Sequence, residues 1–137
     1  MAQDENETSP ERVFSLFEAN RLIPRLQVHL SAIQQGKTIL VQTREEVQRA
    51  SAQAPFGGGT TVGTQYVNCL QQINANLSAI HEMGVVVKDI DVGLCDFPHV
   101  RDGRVVYLCW KLGETKIRWW HEITTGYKDR RPLEDPV

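Results

Sequence analysis

An apolar stripe recurring three and four residues apart constrains this chain more than any other feature. Leu16, Ala19, Ile23, Leu26, Leu30 and Ile33 step by 3-4-3-4-3, and Leu40 and Val47 follow at intervals of seven. Such spacing lines up on one face of a helix, and a heptad stripe asks for a second helix along it. Lys37 and Arg44 stand at the two seam positions that the intervals of seven skip. The helix has a legible start: Ser15 and Glu18 form a capping box, with Phe14 at the staple position. Pro24 removes one backbone bond, to Asn20, and predicts a kink; Gly36 predicts a second soft point. Run from Ser15 to about Ala52, the helix would be roughly 55 Å long at 1.5 Å per residue. A globular core of this size cannot cover that length.

The segment Ala54-Pro55-Phe56-Gly57-Gly58-Gly59 is a loop by its chemistry. Its glycines lack the following Lys-Ser/Thr and the preceding strand of a phosphate-binding loop, so a hairpin turn is the better reading. A second helix is expected from Thr61 to Met83. Its stripe is Val62, Tyr66, Cys69, Ile73, Asn76 or Leu77, Ile80 and Met83, and Gly84 closes it in the C′ position. The short loop makes the two helices antiparallel. Cys69 lies in the stripe and reads as a small core residue.

After Gly84 the period changes from helical to alternating. Val85-Val86-Val87 reads as an edge strand or link, followed by runs at Val92 to Val100, Arg104 to Leu112 and Thr115 to Ile123. Asp102-Gly103 is a strong two-residue hairpin signal, and Gly113-Glu114 is the expected second turn. The fold expected is α+β: a long, coiled-coil-like antiparallel helical hairpin over 15–83, followed by a small three-stranded antiparallel sheet within 85–123. Residues 1–12 read as a disordered acidic tail, 13–133 as a single domain and 124–137 as an irregular C-terminal tail.

The chain has 137 residues, enough for one domain with its own core. A net charge of −2 with 23% charged residues gives no basic field for nucleic acid. Cys69, Cys95 and Cys109 are odd in number and lack close spacing, which argues against a disulfide framework or zinc knuckle. No signal-peptide pattern opens the chain, and no apolar run approaches the roughly 20 residues of a membrane span. The expected setting is the cytoplasm, with thiols reduced.

Strand registers follow from the turns. About Asp102-Gly103, His99 opposes Val106, Phe97 opposes Leu108 and Cys95 opposes Trp110. A two-residue turn at Gly113-Glu114 would then oppose Trp110 with Ile117, Leu108 with Trp119 and Val106 with His121. One face collects Cys95, Phe97, His99, Val106, Leu108, Trp110, Ile117, Trp119 and His121, and should pack on the helices. The other collects Asp96, Val105, Tyr107, Cys109, Arg118, Trp120 and Glu122. An odd loop at the second turn would flip the last strand; burial of Ile117 and Trp119 favours the even one.

The runs GLCDFPHVRDGRVVYLCWKLGE, WWHEI and RRP, with the opening FSLFEANRLIPRL, resemble a bacterial family, domain of unknown function 2203, over about Val13 to Leu133. The resemblance implies a soluble single-domain protein and no assigned activity. The family's motif positions map onto Asp96, Phe97, Pro98, Arg101, Asp102, Gly103, Tyr107, Trp110, Gly113, Glu114, His121 and Glu122. Turn geometry and packing explain the glycines and aromatics among them.

Four residues carry candidate chemistry. His121 with Glu122, Asp96 or His99 would form a metal site. Adjacency sends His121 and Glu122 to opposite faces of a regular strand, and the derived register also separates Asp96 from His121. Structural readings compete: His121 as a core-edge histidine bonded to backbone, Asp96 as a partner of Arg118 or a backbone amide. Cys109 could be a thiolate near Arg118, but no histidine shares its face to act as base. An aromatic or nucleotide-like ligand on Tyr107, Trp120 and Arg118 has only composition behind it. The expectation is a non-catalytic, self-associating module, a homodimer through the helical hairpin that binds neither nucleic acid nor membrane. A metal-binding protein or metal-dependent hydrolase, with a divalent metal as its cofactor, is the alternative.

Overall fold

The structure, a computed structural model, describes residues 12–53 and 60–133. The acidic tail before Arg12 and the Pro-Gly loop lie outside the described residues. Two helices come first, α1 (Leu16–Gln53) and α2 (Thr60–Glu82). Five strands follow: β1 (Val86–Asp89), β2 (Leu94–Arg101), β3 (Arg104–Lys111), β4 (Trp119–Glu122) and β5 (Arg131–Pro132). Each pairs antiparallel with the next, in the order β1-β2-β3-β4-β5. The expected three-stranded sheet is therefore five-stranded. The Val85–Val87 stretch contributes β1, and the supposedly irregular tail supplies a 3₁₀ turn (Tyr127–Asp129) and β5. Among the described residues, no helix is long and apolar enough to cross a membrane.

The start of α1 is capped as its sequence requires. Glu18 N donates to Ser15 Oγ at 3.0 Å, and Ser15 N donates to Glu18 Oε1 at 2.9 Å. The helix continues through Pro24 without interruption for 38 residues. Its inner stripe of Ala19, Ile23, Leu26, Leu30 and Ile33 is buried. Beyond Ile33 the seam does not skip turns. It runs Ile33, Gly36, Leu40, Thr43 and Val47, restoring the 3-4 rhythm, and Thr43 is buried. Lys37 faces outward and bonds Asp91. A Cβ on Gly36 would come within 2.9 Å of Ile73 on α2, so this glycine makes room for a close helix crossing rather than a soft point. Further along, His29 Nδ1 donates to Asn76 Oδ1 at 2.8 Å across the antiparallel pair.

α2 ends at Gly84, whose φ of +92° is the left-handed closure expected of it. The Asp102-Gly103 turn has both residues at positive φ, as a type I′ hairpin demands. It sets the β2–β3 register as derived: Phe97 opposite Leu108, Cys95 opposite Trp110 and, between them, Asp96 opposite Cys109.

The second turn departs from expectation. β3 and β4 are joined by residues 112–118, and the register slips by one: Tyr107 opposes His121, Leu108 opposes Trp120 and Cys109 opposes Trp119. Local bonds explain why no two-residue hairpin forms. Glu114 returns to Lys111 through backbone and carboxylate, and its carbonyl accepts Trp110 Nε1 at 2.9 Å. The amide of Ile117 donates to Asn20 Oδ1 of α1 at 2.8 Å. Ile117 is thus buried from the loop without an even turn, while Trp119, whose burial also favoured one, turns to the other face and is half-buried. The last strand is inverted: Trp120 joins Phe97, Leu108 and Trp110 against the helices, and Trp119 and His121 face away.

Candidate functional site

The helix-facing side of the sheet is apolar throughout its centre, with Phe14 set edge-on to Phe97. The opposite side is where the chemistry collects. Asp96 on β2, Cys109 on β3 and His121 on β4 stand on three adjacent strands, each nearly fully buried. One ligand-type atom of each lies within 4.8 Å of the others. Tyr107 flanks the group, its ring 5.6 Å from that of His121. Arg130 covers it: Nη1 lies 3.9 Å from Cys109 Sγ, and the guanidinium is packed on Trp119 and Tyr127 and held by Glu114 at 3.1 Å.

The hydrogen-bond pattern at His121 is informative. Nδ1 meets the backbone oxygen of Glu122 at 2.8 Å. A carbonyl only accepts, so Nδ1 carries the proton, and in the neutral ring Nε2 is left with a bare lone pair. That lone pair is aimed at Asp96 Oδ1, 3.1 Å away. Two acceptors in a dry interior repel each other unless a proton or another cation lies between them. The second carboxylate oxygen, Asp96 Oδ2, is buried with no hydrogen-bond partner. Burial pushes the Asp96 carboxyl above the ordinary aspartate range, with His121, Lys88 and Cys109 opposing. Burial, aided by Asp96, pushes the Cys109 thiol up to about 11 against the pull of Arg130.

This is not a Cys–His–Asp nucleophilic triad. Such a triad turns one imidazole nitrogen to the thiol and the other to the carboxylate; here one nitrogen is committed to a carbonyl. What the three side chains do offer is a sulfur, an imidazole nitrogen and a carboxylate oxygen converging on one point.

The family profile of the uncharacterized conserved proteins DUF2203 matches residues 12–133. The chain belongs to that family. No curated protein matches it, and no solved structure does. The DUF2203 match spans both helices and the whole sheet, including Asp96, Cys109, His121 and Arg130.

Of the four residues singled out from the sequence, Asp96 and His121 come together in this DUF2203 chain. The separation expected of them was an artefact of the one-residue slip. Glu122 lies on the helix-facing side, pairing Arg104 at the sheet's end through two hydrogen bonds. His99 also lies on that side and donates from Nδ1 to the Phe14 carbonyl at 2.7 Å. Arg118 is exposed and is partner to neither Asp96 nor Cys109; the guanidinium beside the thiol is Arg130. A ligand surface of Tyr107, Trp120 and Arg118 does not form, because Trp120 is buried against the helices. Arg130 was the residue missed, and Cys109 was weighed only as a thiolate near Arg118, not as a partner of Asp96 and His121. The Asp102-Gly103 hairpin already set Asp96 opposite Cys109, so that half of the site was within reach of sequence reasoning.

Proposed function

We propose that this chain binds one divalent transition metal, zinc being the best fit, through Asp96, Cys109 and His121. The observation that carries the reading is His121, committed through Nδ1 to a backbone carbonyl and turned through Nε2 to a buried carboxylate whose other oxygen has no hydrogen-bond partner. A histidine whose second nitrogen donates to a backbone carbonyl is the usual second-shell arrangement of a metal ligand. A cation would relieve the lone-pair clash and satisfy the carboxylate. It would also deprotonate the thiol, as bound zinc does outright. One sulfur, one nitrogen and one oxygen suit zinc or cobalt better than calcium or magnesium. Zinc bonds of roughly 2.0–2.3 Å place ligand atoms about 3.3–3.7 Å apart in a tetrahedron, so the cluster needs only small adjustments. Three protein ligands leave a fourth position for water or substrate, the pattern of catalytic rather than structural zinc.

The test is titration of chelator-stripped protein with cobalt. Tetrahedral visible bands and a thiolate charge-transfer band at one equivalent are expected, with the latter lost in Cys109→Ser. Absence of both bands, with no thermal shift from zinc, would sink the reading.

Self-association through the hairpin is a second reading. It is favoured by Ile39, Val41, Val67 and Leu70, which stay 37–50% exposed on the outer hairpin. Light scattering at tens of micromolar, returning a strict monomer, would exclude it.

A further inference from the structure

A cleft of about 450 Å³ opens beside the three-residue cluster, between the β1–β2 turn and the 3₁₀ turn. Its lining includes Val92, Leu94, Lys111 and Tyr127. Leu94 pairs with Lys111, and Asp96 pairs with Cys109 two positions along the same strands. Residues two apart on a strand share a face and stand roughly 7 Å apart, so cleft and cluster are neighbours on one surface. Between them stands Tyr127, whose hydroxyl accepts from Lys111 Nζ at 3.3 Å and from Arg130 Nη2 at 3.1 Å.

Two lysines and two carboxylates line this cleft, Lys111 and Lys128 with Asp89 and Asp129, and they are not paired alike. Arg130 is balanced by Glu114. The Asp89 carboxylate is turned to the amides of Asp91 and Val92. Lys128 and Asp129 are exposed neighbours on the rim that offset each other. Lys111 is half-buried, and its ammonium meets only the Tyr127 hydroxyl and ring. Apolar side chains beside an ammonium that no carboxylate pairs among the described residues suit a ligand with an apolar body and one anionic head.

We infer that this cleft binds a small organic anion, a carboxylate or phosphate ester, with its head on Lys111 and directed toward the Asp96–Cys109–His121 cluster. The inference rests on the metal reading only where it makes the anion a ligand of the metal's fourth position. Tyr127 and Arg130 are then the groups that position the head between cleft and cluster.

The experiment is amide NMR titration of the full chain with benzoate, phenyl phosphate and, as the neutral control, benzamide, with and without one equivalent of zinc. Either anion, or both, should shift the Leu94, Lys111 and Tyr127 amides, and the better of the two names the head group. Benzamide should not shift them. Lys111→Gln should weaken binding by about fivefold or more, and Lys111→Arg should retain it, as expected for a charge-assisted contact. Zinc should tighten the anion roughly fivefold or more if the two sites are coupled. No shifts with either anion, equal shifts with benzamide, or unchanged binding in Lys111→Gln overturns the cleft assignment. Zinc binding without any effect on the anion overturns the link between the two sites. Anion shifts in a protein that gives no cobalt spectrum support the cleft and refute only the metal reading.

Discussion

The two faces of the sheet share strands and alternation, yet they bury their side chains on opposite terms. The helix-facing side buries Phe97, Leu108, Trp110 and Trp120, which gain by leaving water. The other side buries Asp96, Cys109 and His121, which lose by it unless something compensates them. Equal burial therefore means stability on one face and a held-ready chemical demand on the other. The contrast makes the sheet a partition, with apolar packing on one side and a buried polar cluster on the other.

Four substitutions test the partition, beginning with the largest effect. Trp110→Ala on the helix-facing side should cost about 3–5 kcal/mol in urea unfolding and leave any cobalt spectrum unchanged in the fraction that folds. Asp96→Asn should behave in the opposite way. Metal-free protein should become more stable near neutral pH, by about 1–2 kcal/mol, as a buried carboxylate with one unbonded oxygen is replaced by a neutral group that can donate to Nε2. Metal binding should be lost. The sign with pH follows from the raised carboxyl. The folded state holds the Asp96 proton more tightly than the unfolded one, so wild-type stability falls as pH climbs from 3.8 through the folded value. The gap between Asn variant and wild type should therefore close in acid and widen as pH rises. A gap that is flat in pH would contradict the assignment.

A smaller effect concerns the thiols. Cys109 is buried and its thiol is raised to about 11, so Ellman's reagent should react slowly with it and faster with half-exposed Cys69. Arg130→Ala should speed the slow phase by uncovering the sulfur. A rate unchanged at high pH, where loss of the cation that pulls the thiol down matters least, would show that Arg130 is not the cover. The smallest effect belongs to Glu122→Gln. Its carboxylate pairs exposed Arg104 on the far side of the strand, so cobalt spectra should match the wild type. A lost spectrum would break the partition outright.

Much of the fold could be read from the chain because local chemistry decided it. Ser15 and Glu18 cap α1, Gly84 closes α2, and Asp102-Gly103 sets a register in which Asp96 faces Cys109. The parts that could not be read were decided by contacts distant in sequence. The β3–β4 loop is tied to α1 through Asn20, and that tie, invisible to any turn rule, moves His121 to the face of Asp96. The helix seam shows the same limit. Gly36 and Thr43 look like gaps in an apolar pattern, yet both sit in the seam: a side chain at Gly36 would meet Ile73, and Thr43 is buried. β5 is only two residues long and exists because β4 offers it an edge.

Gln34 has a mechanical consequence. Its amide nitrogen donates to two successive carbonyls, Ile90 at 3.0 Å and Asp91 at 2.9 Å, and Lys37 one turn on holds the Asp91 carboxylate. These ties sit midway along the 38-residue α1. The outer half of the helix is braced by α2 along its seam and by these ties at its inner end. The turn they hold is the β1–β2 turn, whose residues Asp89 and Val92 line the cleft. The middle of the long helix and one wall of the cleft are thus joined through a single turn.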